Sequence, residues 1–390
     1  MSTELLYKIT GPKKWVEPPS MYSFSSLRQI ESCPLAWQLQ NSCYDGFDRY
    51  PLRPNPAGVE GEIVHGVIEK LFRELAQSGM PVIGSEVFQK CVKQVGIVGL
   101  ISHLVSDHLA KIWMHPRGAG FRLKLSVQEI HNKTIRIFRE QYDKIRNNTP
   151  VGMVQAIKHS SDMAESKYNS TLDCQKLLEK HGVLTELSLR HPDLPLKGVI
   201  DFVWLDDDGV EITDFKSGSS KPEHREQLIL YALLWAKNTG QIPHRAYIIY
   251  PDSSVLIEIT SEILDAFHAD LLERINNART SLSLAPGRAN ISENCQYCQV
   301  RQMCDAYWEM KRKVAITPGY VDLEMVVTGA PADFGFIGQT TDGSFLSVVY
   351  DKDLAKMSGA FKCGEALRII GAIAGSEALE IKPWTEVFHR

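Results

Sequence analysis

Two apolar runs meeting at a short acidic turn constrain this chain most. Lys197–Leu205 reads KGVIDFVWL and Val210–Lys216 reads VEITDFK, with Asp206, Asp207, Asp208 and Gly209 between them. An Asp/Gly cluster between apolar runs marks a β-hairpin. A loop at 207–208 or at 206–209 pairs Leu205 with Val210, and that register carries Asp201 opposite Asp214. A loop at 208–209 leaves the two diagonal on one face; a three-residue loop without a bulge separates them. Alternation points Asp214 and Lys216 the same way and Phe215 the other. Facing carboxylates ~5 Å apart at Cβ repel unless a cation lies between them. Oxygen ligands with open positions suit Mg²⁺ or Mn²⁺. Such an ion polarises a phosphate and acidifies a bound water. Lys216 beside it can orient that water and stabilise developing charge. Taken alone, the hairpin is equally readable as a surface turn with solvated charges.

The rest of the chain sets this hairpin in an α/β frame. Residues 1–20 read as an irregular leader ending in Pro18 and Pro19. Residues 23–40 read as helix, with Ser25 as N-cap and a break or restart at Pro34. From Val59 to Gln77 the apolar residues recur at helical spacing around His65. Residues 80–180 are mostly helical and read as an insertion. At Gly182 the pattern turns to strands, at 183–190, 197–205 and 210–216. A helix over Pro222–Lys237, a strand at 245–251 and a helix over Ser261–Ser281 complete a mixed sheet with a crossover helix. Residues 315–390 return to short strands and Gly-punctuated turns, as in a small OB-like β-barrel. No stretch approaches the ~18 to 20 consecutive apolar residues of a membrane span. The N-terminus has no secretory h-region, so a cytoplasmic location is expected.

Further residues join the hairpin. Gln227 and Tyr231 lie at i, i+4 on the following helix and share a face. His65 interrupts an ordinary amphipathic helix, and Glu186 stands in the strand just upstream. With His65, then GVID (Gly198–Asp201), then DFK (Asp214–Lys216), then Q-x-x-x-Y (Gln227–Tyr231), the chain resembles the PD-(D/E)XK nuclease superfamily in its RecB-like branch. The opening S-F-S-S-L-R-Q-I-E-S-C-P is similar as well. The resemblance covers roughly 20–310 and implies a restriction-endonuclease-like core over 21–314. It implies metal ligation by His65, Asp201, Asp214 and the Phe215 carbonyl, and a catalytic Lys216. Gln227 and Tyr231 would shape the site near the DNA backbone. Glu186 is either a further ligand or a cross-strand partner.

Three of the eight cysteines, Cys295, Cys298 and Cys304, fall within ten residues. Such clustering points to metal or cluster ligation. A fourth ligand must come from elsewhere; the resemblance of the opening motif to iron–sulfur nucleases of this branch implies Cys33, with the nearby Cys43 second. Four thiolates fit a 4Fe-4S cluster or Zn²⁺. Resemblance to the AddB subunit and to CRISPR-associated RecB-like exonucleases favours iron–sulfur, in a structural clamp. Cys91, Cys174 and Cys363 read as ordinary buried thiols.

Net charge is −4, but Lys111–Arg146 carries nine basic against three acidic residues, and 320–390 ten acidic against six basic. On a helix near 127–146, Lys133, Arg136, Arg139 and Lys144 form a basic surface, either a DNA-binding arm or a solvated face. In the tail, Phe334, Phe336, Phe345 and Trp384 are available for base stacking or for core packing, and a protein partner fits the acidity as well. The expected function is a metal-dependent DNA nuclease, an exonuclease on single-stranded ends in repair, CRISPR adaptation or phage defence. The alternative is a non-catalytic nucleic-acid-binding or scaffold subunit of a DNA-processing complex.

Overall fold

The computed structural model describes residues 6–8, 10–118, 125–148, 173–206, 208–329, 335–350 and 361–390. The chain runs β1 (Leu6–Lys8), α1 (Phe24–Ser32), α2 (Pro34–Asn41), α3 (Pro56–Gln77), α4 (Glu86–Val95), α5 (Ile97–Met114), α6 (Val127–Asn148) and α7 (Asp173–His181). Then come β2 (Val183–Arg190), β3 (Lys197–Asp206), β4 (Gly209–Phe215), α8 (Pro222–Thr239), β5 (Arg245–Ile249), β6 (Ser254–Glu258) and α9 (Ser261–Ser281). Two 3₁₀ turns (Glu293–Tyr297 and Arg301–Met303) lead to α10 (Asp305–Lys311).

Strands β2–β6 form one sheet in sequence order. All its pairs are antiparallel except β4 and β5, which run parallel and are joined by α8. Helices cover both faces. Leu27, Leu230, Leu234 and Ile275 meet Ile200, Val203 and Ile212 on one. Val67, Leu71, Phe72 and Phe138 meet Phe202, Trp204 and Phe215 on the other. This is a three-layer α/β core. Strand β6 was not foreseen.

Asp206 pairs with Gly209, Leu205 with Val210 and Phe202 with Thr213, the register expected of a tight turn. The next step of that register sets Asp201 opposite Asp214. Thr185 pairs with Phe202 and Leu187 with Ile200, which places Glu186 opposite Asp201 from the other side. Glu186 has φ 50, a left-handed conformation that is strained for a non-glycine residue. Its effect is visible in the packing. Ile200 and Phe202 lie two apart and would share a face in a regular strand. They feed opposite cores instead. Strands β2 and β3 therefore change face at Glu186 and Asp201, whereas β4 keeps its alternation, with Ile212 in one core and Phe215 in the other.

Several expectations need correction. Ser23, not Ser25, caps α1, because its side chain accepts from the Ser26 backbone N–H in a reciprocal capping box. Pro34 does restart the helix, and Cys33 (φ −161, ψ 106) serves as both C-cap of α1 and N-cap of α2. One stretch, Glu86–Met114, is by length and composition apolar enough to cross a membrane. Gly96, at φ 61, breaks it into α4 and α5, and Val95, Ile97, Ile101 and Val105 pack into the α3–α6 core.

The C-terminal strands are β7 (Gly319–Val327), β8 (Gly335–Thr340), β9 (Phe345–Tyr350), β10 (Ala366–Ala374), β11 (Ala378–Ile381) and β12 (Glu386–His389). Strands β7, β8, β9, β11 and β10 follow one another, and β10 pairs back to β7. The result is a closed five-stranded barrel, the strand count of an OB fold. Leu323, Met325, Phe336, Val348 and Ile369 fill it. β12 extends the sheet along β10, and β1 lies parallel on β12. The leader is thus partly a strand of the C-terminal sheet. Arg117, at the end of α5, donates two hydrogen bonds of 2.8 Å to Glu386 and reaches the carbonyls of Pro51 and Gln299. Barrel, cysteine segment and helical insertion meet at this buried guanidinium.

Candidate metal centre and cysteine cavity

His65 comes to the acidic row from α3. Nδ1 of His65 lies 3.6 Å from Oδ2 of Asp201, which also accepts the Phe215 backbone N–H at 2.8 Å. One ligand atom each from His65, Glu186 and Asp201 lie within 4.8 Å of one another. Asp214, almost fully buried, pairs with Lys216 at 2.6 Å instead and is not in that tight group. Glu69, one turn beyond His65, lines the same pocket and pairs with Arg73. It escaped the sequence reading, although the i, i+4 spacing from His65 is visible there.

The three carboxyls crowd one another in a poorly solvated place. Burial pushes Asp201 up to about 6. Burial, then repulsion from Asp201, raises Asp214 to about 7. Glu186 is exposed as a residue, but desolvation and the two aspartates hold its carboxyl at about 7. Burial lowers His65, which keeps its imidazole neutral and able to donate a lone pair. Clustered acids that resist ionisation beside a neutral imidazole are what a divalent cation relieves.

Lys216 belongs to a chain of contacts running onto α8. Its Nζ donates to Gln227 Oε1 at 2.9 Å, and Gln227 Nε2 donates to the Tyr231 hydroxyl at 2.7 Å. The amide is thus oriented, with its oxygen toward the ammonium. Gly198 makes room for this chain, since a Cβ there would sit 2.9 Å from both Tyr231 Cε1 and Leu234 Cδ1.

A family model described as the PD-(D/E)XK nuclease superfamily matches residues 21–305. The chain belongs to the PD-(D/E)XK nuclease superfamily. Nucleases of this superfamily use divalent metals, and the His65, Glu186 and Asp201 group is a donor set able to bind one. Among solved structures, this nuclease-family chain is similar to the crystal structure of SSO0001, with 20% identity and a TM-score of 0.22. The match covers 34% of this chain and 65% of that one, just under two thirds of its length. No curated protein matches.

Away from the acidic row, the fold brings Cys33, Cys295, Cys298 and Cys304 around one cavity between α1, α2 and the 3₁₀ turns. Backbone N–H groups point at all four sulfurs. Ala36 and Asn290 donate to Cys33 Sγ at 3.4 and 3.5 Å, and Ser292 donates to Cys295 Sγ at 3.3 Å. Val300 donates to Cys298, and Tyr307 and Ala306 to Cys304. Desolvation, reinforced by the neighbouring cysteines, pushes the Cys298 thiol up to about 11 and raises Cys304. Cys43 is elsewhere, bridged to Lys14. Cys91 and Cys174 are buried as expected, whereas Cys363 is exposed, a correction. It sits in the turn before β10 rather than in the barrel core.

On α6, Lys133 and Arg136 pair with Glu60 and Asp252, and Arg139 is exposed. The Lys144 side chain and Phe334 lie outside the described residues. Phe336 is buried in the barrel, while Phe345 is 64% and Trp384 40% exposed.

Proposed function

We propose that this chain is a divalent-metal-dependent DNA nuclease that hydrolyses phosphodiester bonds as an exonuclease on single-stranded ends. The observation that carries the reading is the row Glu186–Asp201–Asp214 across three strands, with His65 at one side and Lys216 at the other. His65, Asp201, Asp214 and the Phe215 carbonyl, with Glu186 as a further ligand, would hold Mg²⁺ or Mn²⁺. A bound ion supplies Lewis acidity toward a phosphoryl oxygen. Asp214 keeps the Lys216 ammonium beside the site, where it stabilises charge developing on the attacked phosphate. Gln227 and Tyr231 fix the direction of that ammonium as positioning residues.

Cys33, Cys295, Cys298 and Cys304 would hold a 4Fe-4S cluster in a structural role. Four sulfurs that each accept backbone N–H groups suit ligated thiolates. Resemblance to the iron–sulfur members of the RecB-like branch favours iron–sulfur here, with Zn²⁺ as the alternative ligation. Ligation would clamp α1 and α2 to the end of a nuclease unit spanning 21–314.

We assign 315–390 to an OB-like barrel that contacts single-stranded DNA or a protein partner. Free cysteines and cluster ligation fit a cytoplasmic enzyme of repair, CRISPR adaptation or phage defence. The test is digestion of single- and double-stranded DNA, with free and blocked ends, in Mg²⁺ and in Mn²⁺. The reading expects loss of free-ended single strands and protection by end-blocking. Cutting of circular substrates at the same rate would contradict exonuclease action, and no cutting at all would favour a non-catalytic subunit.

A further inference from the structure

The residues directly after Lys216, namely Ser217, Gly218, Ser219 and Ser220, form one wall of a groove of about 660 Å³. Lys133 and Arg136, three residues apart on α6, and the Tyr250–Ser253 turn line it as well. The groove opens at the carboxyl ends of β4 and β5, the parallel neighbours of the sheet, where open α/β sheets receive ligands. These strand ends are fixed together, since the Lys216 N–H donates to the Ile249 carbonyl at 2.8 Å. The serine loop is braced from behind, because Ser217 Oγ lies 2.9 Å from where a Cβ on Gly61 of α3 would stand. At Gly218 the space is open, with nothing within 4 Å of an added Cβ.

Both cations of the groove are engaged by carboxylates. Lys133 pairs with Glu60 of α3, and Arg136 with Asp252 of the turn. The Arg136 and Asp252 side chains are 58% and 81% exposed, and such pairs are weak. A phosphate diester offers Arg136 the same charge in the same fork geometry. Hydroxyls and backbone N–H groups of a serine loop are ordinary phosphate donors.

We propose that this groove holds the phosphate backbone of the strand being cut, beside the scissile phosphate, with Arg136 as its main cation and Asp252 as the anion a phosphate displaces. The inference rests on the nuclease reading above and adds the path of the strand. It has an unusual sign: Asp252 competes with DNA, so its neutralisation tightens binding.

The experiment uses the full chain and a fluorescein-labelled single-stranded oligonucleotide. Binding is read by anisotropy across a salt series with Ca²⁺, and cleavage is read separately with Mn²⁺. Asp252→Asn is expected to bind about two- to five-fold tighter. Arg136→Ala is expected to bind more weakly, with a log–log salt slope shallower by about 0.7. A gain of affinity in Asp252→Asn does not arise from misfolding. If the wild type binds and cuts while both variants keep its affinity and slope, or if Asp252→Asn binds more weakly, the groove assignment is overturned and the nuclease reading stands. If the wild type neither binds nor cuts, the nuclease reading fails and the groove assignment falls with it.

Discussion

At the scale of single residues, the candidate site is a set of groups that are uncomfortable apart from a cation. Asp201, Asp214 and Glu186 have folded-state pKa values of about 6, 7 and 7, above the ordinary carboxylate range. A carboxyl whose folded pKa is raised binds its proton more tightly in the folded state. Between the unfolded value near 4 and the raised value near 7, the folded protein therefore loses stability as pH rises. A divalent ion removes that cost. In thermal unfolding, Mn²⁺ relative to EDTA is expected to stabilise the protein more at pH 8 than at pH 5. An equal increment at both would speak against ligation by these carboxyls. Gln227 contacts Lys216 directly and Gly198 makes room for Tyr231 behind it, so the two positions are tested together. Gln227→Ala is expected to lower kcat about 10- to 100-fold by misplacing the ammonium, with the metal requirement unchanged. Gly198→Ala drives a methyl into Tyr231 and Leu234, so the same loss should come with a stability cost of about 1–3 kcal/mol in urea unfolding.

At the scale of elements, what was readable in the sequence was the part governed by short-range rules. The pairing of Asp206 with Gly209 follows from the Asp/Gly turn, and the register then sets Asp201 against Asp214. The i, i+4 spacing places Gln227 and Tyr231 together on α8. What stayed hidden depends on contacts distant in sequence or on backbone strain. Glu186, at φ 50, stands where β2 and β3 change face, and no residue pattern announces a positive φ at a glutamate. Strand β1 gains its partner only from β12, nearly the whole chain away. Ser25 and Ser23 are equally good caps by type, and geometry chose between them. The cysteines lie between these cases. Their clustering is local for Cys295, Cys298 and Cys304, but Cys33 reaches the cavity only because Pro34 restarts the helix there. If the four hold an iron–sulfur cluster, the purified protein absorbs near ~400 nm, and Cys298→Ser loses that band together with thermal stability. A colourless protein with stoichiometric zinc would point to the other ligation.

At the scale of the whole molecule, buried charge ties the parts together. Arg117, 4% exposed, bonds both oxygens of Glu386 and two carbonyls and lies over the Tyr50 and Phe388 rings. Nearby, Arg368 donates to Glu324, to Asp305 and to the Gln302 carbonyl, so barrel and cysteine segment share a second such joint. Removing one partner of a buried pair costs about 3–5 kcal/mol, because the other charge is left unpaired. Arg117→Ala is therefore expected to lower the unfolding midpoint sharply. The double variant Arg117→Met with Glu386→Leu should recover most of the loss, as measured by urea titration. If Lys216 and the acidic row form a metal-dependent catalytic centre, wild type and Lys216→Ala differ in how fast they cleave labelled single-stranded DNA in Mn²⁺. Cleavage by the wild type, lost about 10²-fold or more in a Lys216→Ala protein of unchanged fold, is the predicted result; equal rates for the two proteins would contradict it.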